Sequence, residues 1–136
     1  MNNAEIQIQL LFPEPGKWGE FTLTAIYPDA DGFVRTKRYT QDDIPADQAP
    51  VMATAVAAIA NMDEEWQASQ VWVHLSNVLH FPEDEHQEPV VMQGLLLTVE
   101  AVNADGGRQT FTCGDYPEFI LLDPAAVEFF KHFTTP

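Results

Sequence analysis

Alternating hydrophobic and polar residues predict five or six β-strands in this chain. In residues 5–12, isoleucines and a leucine alternate with Glu and Gln, a period of two that is typical of a strand with one solvated face. Residues 20–40 repeat the alternation on both sides of a Pro-Asp-Ala-Asp-Gly turn, and they predict a hairpin. The same pattern predicts strands over residues 70–81, 90–102 and 108–114, of which the last two flank an Asn-Ala-Asp-Gly-Gly turn.

A helical spacing of apolar residues separates these strands into two groups. Met52, Val56 and Ile59 recur at intervals of four and three residues, and the alanines between them are strong helix formers. This pattern predicts one long helix over residues 47–67, with its apolar stripe packed on a sheet.

The chain ends in a second predicted helix, and the complete element order defines a fold class. Asp123 is suited to cap a short C-terminal helix, with Pro124 at its first position. The order is then β-ββ-α-β-ββ-α, and the short turns between neighbouring strands favour antiparallel pairing. We expect one domain, residues 1–136, of the α+β class: a mainly antiparallel sheet of about five to six strands, the long helix on one face, and the short C-terminal helix.

The charge balance narrows the choice of partners. The chain has 21 Asp and Glu against six Lys and Arg, a formal net charge of -15 at pH 7. A surface excess of this sign repels phosphate backbones and anionic lipids, so we expect no nucleic-acid partner and no membrane partner. Phosphate mimicry toward a DNA-binding protein would need carboxylates in regular rows, whereas the acids cluster at turns, helix ends and one loop.

Cysteine use and the N-terminal residues predict the compartment. Cys113 is the only cysteine, so no internal disulfide can form, which fits a reducing compartment or an exterior protein that does not rely on disulfides. Residues 1–15 lack the basic region of a signal peptide, and no uncharged stretch is apolar enough to predict a membrane span. We expect a cytoplasmic protein.

An acidic loop over residues 80–88 is the strongest candidate for a metal site. Imidazole and carboxylate groups together can bind zinc or other transition metals, and carboxylates alone can bind calcium. The spacing matches neither the helical His pair of metalloproteases nor a calcium loop with its central glycine. The alternative is a solvated surface loop. The candidate ligands are His80, Glu83, Asp84, Glu85 and His86.

A basic patch on the first hairpin is a candidate interface. Arg35, Lys37 and Arg38 are three of the six cations, and they lie on the hairpin's second predicted strand. Cations interleaved with aromatic residues on a strand can bind nucleic-acid bases. In a chain this acidic we instead expect them to pair with carboxylates, within the molecule or across an interface.

Aromatic residues of the C-terminal helix form a second candidate interface. Phe129, Phe130 and Phe133 add to an aromatic content of 11%. Because Phe129 and Phe130 are neighbours, one helix face cannot bury both fully. We therefore expect one of them to meet another element or another chain. The alternative is that these rings fill the core of the single chain.

The sequence contains no catalytic or cofactor-binding motif. His74, Ser76 and His80 share a strand face but lack the glycine turn that holds a hydrolase nucleophile, and there is no phosphate-binding glycine loop. The layout of hairpin, acidic helix start and alanine-rich helix resembles small proteins from phage and prophage regions, a resemblance of layout without a shared motif. We predict a non-enzymatic binding or assembly protein, without a cofactor, that binds a protein partner or itself. The alternative is a metal-binding module or metal-dependent enzyme using residues 80–88.

Overall fold

A single antiparallel sheet organises the computed structural model, which describes residues 6–14, 20–44, 47, 65–84 and 86–135. The strands are β1 (Gln7–Leu11), β2 (Thr22–Pro28), β3 (Val34–Thr40), β4 (Gln67–His80), β5 (Val90–Val102), β6 (Arg108–Phe111) and β7 (Ile120–Leu121). Their order in the sheet is β3-β2-β1-β4-β5-β6, and β7 pairs with β5. One α-helix, α1 (Pro124–Phe133), follows β7.

The predicted α+β class, with a long helix on one face of the sheet, is wrong. Across the described residues the sheet has seven strands, and the short α1 is the one α-helix; no long helix packs on a face. Most of the predicted helix over residues 47–67 lies outside the described residues. Its predicted end is strand instead, because Gln67 pairs with Val102 and the fully buried Ala68 pairs with Ala101.

The antiparallel pairing and the C-terminal helix agree with the sequence analysis. In the β2–β3 turn Gly32 adopts a φ of 85°, which glycine tolerates without strain. The Asp29 carboxylate accepts the backbone N–H groups of Asp31 at 2.9 Å and Phe33 at 3.0 Å and so fixes this turn. Strand β7 was not predicted, because two residues are too short to show a period.

One face of the sheet forms the core together with α1. Strand residues of one parity are buried, while their neighbours are half-buried on the other face, as the period of two requires. The helix covers this face with aromatic rings, and the rings of Tyr39 and Phe133 meet edge to face at 4.9 Å. The buried strand residues of this face are Ile8, Leu10, Leu23, Ala25, Tyr27, Ala68, Val71, Val73, Leu95, Leu97, Val99, Ala101, Phe111 and Leu121.

Both ends of α1 are satisfied by side chains. The Asp123 carboxylate accepts the backbone N–H of Ala125 at 3.0 Å, as predicted for an N-cap. At the other end, the Thr134 hydroxyl donates to the carbonyl oxygen of Phe130 at 2.8 Å, and the Thr135 hydroxyl donates to that of Lys131 at 2.6 Å. Among the described residues, no helix has the length and apolarity needed to cross a lipid bilayer.

Candidate interaction surface

The β4–β5 hairpin is much longer than its neighbours and extends past them. Strand β4 has 14 residues and β5 has 13. Strand β1 pairs with β4 only as far as His74, and β7 pairs with β5 only back to Leu95. Beyond these residues no described strand pairs with the outer edge of β4 or of β5. We call the projecting segment, residues 77–84 and 86–93, the arm. Four residues of each strand extend about 13 Å at the usual rise per residue.

The arm exposes large apolar side chains. Leu79 is 52% exposed and Val91 68%, and these two residues lie directly opposite each other in the ladder. By the period of two, they lie on the same face of the sheet as the buried Val73. Phe81 is 68% exposed and Val90 48%. The core-forming face of the sheet therefore continues onto the arm, where Leu79 and Val91 stay in contact with solvent. Val90 lies on the opposite face, and Phe81 follows the end of β4.

The base of the arm is fixed by close packing. A Cβ atom at Gly94 would lie 2.9 Å from Leu122 Cδ2 and 3.3 Å from Val78 Cγ2, so this position accepts only glycine without rearrangement. The Lys131 ammonium donates to Gln93 Oε1 at 2.9 Å and ties the arm to α1. These contacts hold the arm in one direction relative to the sheet.

The predicted metal ligands lie at the tip of the arm. Among the described residues, no group of three or more His, Cys, Asp and Glu side chains is placed to hold a metal ion. The Asp84 carboxylate instead accepts the backbone N–H of His86 at 3.0 Å, which shapes the loop from within. Glu85 lies outside the described residues. The site of His80, Glu83, Asp84, Glu85 and His86 stays a prediction, and a thermal-shift titration with zinc, manganese and calcium tests it.

Strand β3 forms one edge of the sheet. It pairs with β2 along all seven of its residues, and no described strand pairs with its other side. Next to the turn, Phe33 is 67% exposed and Val34 58%. We call residues 33–40 the β3 edge. An open edge of this length offers unpaired backbone groups to a further strand.

Two of the three predicted basic residues on this edge are engaged within the molecule. Arg35 Nε lies 2.7 Å from Asp29 Oδ2, and this hydrogen bond holds the pKa of the Asp29 carboxyl below its ordinary value. Lys37 lies on the core face, with Nζ 5.1 Å from the centre of the Tyr27 ring. Its ammonium also donates to the carbonyl of Thr135 just beyond α1, at 3.3 Å.

Arg38 differs from the other two cations. It points to the opposite face from Lys37 by the period of two, and its side chain is exposed. It forms no ion pair with another described residue. Arg38 is therefore the cation of this patch that is available to a partner.

The predicted aromatic interface on α1 lies inside the protein. Phe129, Phe130 and Phe133 are all buried, and the Phe129 and Phe133 rings lie 4.8 Å apart. An open depression of about 580 Å³ lies beside them, lined in part by Lys37 and Lys131.

The sequence analysis missed the arm and the apolar end of the β3 edge. The length of the strand patterns could have indicated the arm. Residues 70–81 and 90–102 form longer patterns than residues 5–12, so these two strands must extend beyond the shorter strand when they pair with it.

No family model, no curated protein and no solved structure matches this chain.

Proposed function

We propose that this protein is a small non-enzymatic binding and assembly protein that docks onto a protein partner through the arm. The observation that carries the proposal is the group of exposed apolar residues Leu79, Phe81, Val90 and Val91 on a hairpin whose outer edges no described strand pairs. Several large apolar side chains exposed on one short segment are typical of protein interaction sites.

The apolar contacts of the arm are sufficient to contribute to binding but not to drive it alone. Covering half to two-thirds of four such side chains stabilises a complex by roughly 3–8 kcal/mol, at about 1.5–3 kcal/mol for each fully buried side chain. Association itself costs about 4–15 kcal/mol. Further contacts are needed, and backbone hydrogen bonds to a strand edge would supply them. The arm is therefore suited to a partner that offers both an apolar surface and an open strand edge.

The charge distribution favours a protein over nucleic acid as that partner. The loop at the arm tip, residues 83–88, contains four acids and no Lys or Arg. These carboxylates and the net charge of -15 repel phosphate groups but attract a basic protein surface. We further propose a cytoplasmic location, because the single cysteine allows no internal disulfide. An accessory role in a phage particle would be one form of this function.

The test compares the wild-type chain with an arm variant, Leu79→Thr with Val91→Thr. The control is Leu11→Thr, which changes an exposed apolar residue (47% exposed) at the end of β1, outside the arm. Molar mass across a concentration series measures self-association, and immobilised chains measure the capture of other proteins. We expect the arm variant to lose an association that the control retains. A wild-type chain that is a strict monomer, and that captures the same proteins as the arm variant, would refute the proposal.

A further inference from the structure

We infer that this protein has a second binding surface, which takes an extended acidic segment of another protein as an added strand on the β3 edge. This surface lies apart from the arm, because β2 and β1 separate β3 from β4 in the sheet. It therefore goes beyond the proposed function and does not depend on it. Open backbone groups along β3, a depression with cationic side chains beside them, and Arg38 on the opposite face carry the inference.

The pairing of β3 with β2 fixes which backbone groups of β3 face outward. The Asp29 N–H donates to the Phe33 carbonyl at 2.9 Å, so these two residues form a hydrogen-bonded pair of the antiparallel ladder. Such pairs recur at every second residue, and the residues between them point their N–H and C=O groups away from β2. The Thr40 N–H agrees with this alternation, because the Asp43 carboxylate accepts it at 2.9 Å. The outward-facing residues are Val34, Thr36, Arg38 and Thr40.

The β3 edge lacks the features that usually block the addition of a strand. It contains no proline, and its register with β2 is continuous over seven residues, without a bulge. Edge cations are another common block, but Arg35 and Lys37 are held within the chain by Asp29 and the Tyr27 ring. Because alternate backbone donors and acceptors stay open here, the ligand that satisfies them is a polypeptide strand.

A depression beside this edge provides room for side chains of the added strand. It has a volume of about 580 Å³, and it is lined by Lys37 and Tyr39 of β3 and by Lys131 and His132 of α1. Residues directly opposite each other on neighbouring strands project to the same face of a sheet. A residue added opposite Lys37 therefore directs its side chain toward this depression.

The charges of the depression favour a carboxylate there. The ammonium groups of Lys37 and Lys131 each donate one hydrogen bond within the chain, at 3.3 Å and 2.9 Å, and an ammonium has three donors. Glu128 is the one acid among the described residues that line the depression. Two ammonium groups against one carboxylate leave a local positive excess in a chain of net charge -15. An acidic side chain is thus attracted to this place, whereas the net charge repels it elsewhere.

Arg38 supplies a second carboxylate contact on the opposite face. Its side chain is exposed, and it forms no ion pair with another described residue. A residue added opposite Arg38 lies on the same face, within reach of the guanidinium group. Two neighbouring acids, one opposite Arg38 and one opposite Lys37, are therefore held from both faces of the added strand.

The apolar end of the β3 edge completes the pattern of the ligand. Phe33 is 67% exposed and Val34 58%, so apolar residues opposite them bury surface. Every strand pair of this sheet is antiparallel, and a strand added in that direction meets Arg38 before Val34. The expected segment thus has two neighbouring acids, two intervening residues and then two apolar residues.

A synthetic peptide of this pattern tests the inference. It contains two glutamates, two threonines and two valines in that order, with both ends blocked, and isothermal titration calorimetry measures its Kd for the full chain. We expect a Kd below about 1 mM. The matched peptide with glutamines in place of the glutamates should bind about threefold more weakly or worse.

Charge variants of the chain test the two carboxylate contacts. Lys37→Gln and Arg38→Gln should each raise the Kd by about two- to fivefold, because each removes one cross-strand charge pair. Glu128→Gln should lower the Kd, because it removes the acid that competes with the ligand for the ammonium groups. The control Arg108→Gln changes an exposed arginine on β6, at the other edge of the sheet, and should bind as the wild type does.

Methylation of single peptide nitrogens tests the added strand itself. The first threonine lies opposite Thr36, so a methyl group on its nitrogen removes a backbone hydrogen bond and should raise the Kd by about tenfold or more. The nitrogen of the second threonine points away from β3, and methylation there should change the Kd little.

Three results would each overturn the inference. They are no binding of the glutamate peptide at about 1 mM, charge variants that bind like Arg108→Gln, and a methylated first threonine that binds as well as a methylated second. The arm variant should bind the peptide as the wild type does, so these results leave the proposed function of the arm standing.

Discussion

The arm variant, Leu79→Thr with Val91→Thr, separates a role in association from a role in folding. Both side chains already contact solvent over more than half of their surface in the single chain, at 52% and 68% exposure. Threonine is β-branched and suits a strand, so the hairpin should keep its conformation. The expected cost to folding is the cross-strand pair alone, about 0.2–1 kcal/mol.

The two substitutions should weaken association by more free energy than they cost folding. The size of this effect follows from the exposed fractions of Leu79 and Val91. Covering these fractions of a Leu and a Val stabilises a complex by roughly 1–2 kcal/mol for each residue. Threonine keeps one methyl group, so the two substitutions together remove about half of the total, or roughly 1–2 kcal/mol. This loss corresponds to about a tenfold rise in Kd.

Sedimentation velocity across a concentration series measures the association, and thermal unfolding of the same samples measures the fold. We expect a shifted association curve with a melting temperature close to that of the wild type. The Leu11→Thr chain should behave as the wild type in both assays. An association curve that overlays the wild type in a folded arm variant would refute the reasoning, as would an equal loss in Leu11→Thr.

Three further predictions follow from single contacts. Gly94→Ala should lower the free energy of unfolding by about 1 kcal/mol in a urea titration, because its methyl group would lie 3.3 Å from the backbone carbonyl oxygen of Leu121 and would displace the end of the Leu122 side chain, 2.9 Å away; an unchanged midpoint would contradict the packing at the arm base. Asp123→Ala should cost about 1 kcal/mol by the same measurement through loss of the N-cap. Since Arg35 lowers the pKa of Asp29, the stability this pair contributes is present above the ordinary carboxyl pKa and is lost as the pH falls through the lowered value. Arg35→Ala should therefore raise the Asp29 pKa in an NMR titration, and an unchanged value would exclude the ion pair.

Local chemistry made the strands, turns and helix cap predictable from the sequence. The alternation in residues 5–12 and 20–28 identified strands because one face of β1 and of β2 is buried. Gly32 and Asp123 were predictable because a turn and a helix start each demand a specific residue type at a specific place.

The parts that depend on distant contacts were not predictable in this way. Helical spacing at residues 47–67 gave no indication that Gln67 would pair with Val102, 35 positions along the chain. Likewise, the exposure of Leu79 and Val91 depends on where β1 stops pairing with β4, which no local pattern records. Phe129 and Phe130 are both buried because different neighbours surround the helix, so the helix face alone did not decide their burial.

Amide hydrogen exchange, measured at low and high protein concentration and with and without a captured partner protein, tests most directly whether the arm is a docking surface of this protein. Docking covers the arm, so exchange should slow in the associated sample in peptides covering residues 77–80 and 90–93, with little change in residues 108–111. Equal exchange of the arm peptides in the free and the associated samples would contradict the account.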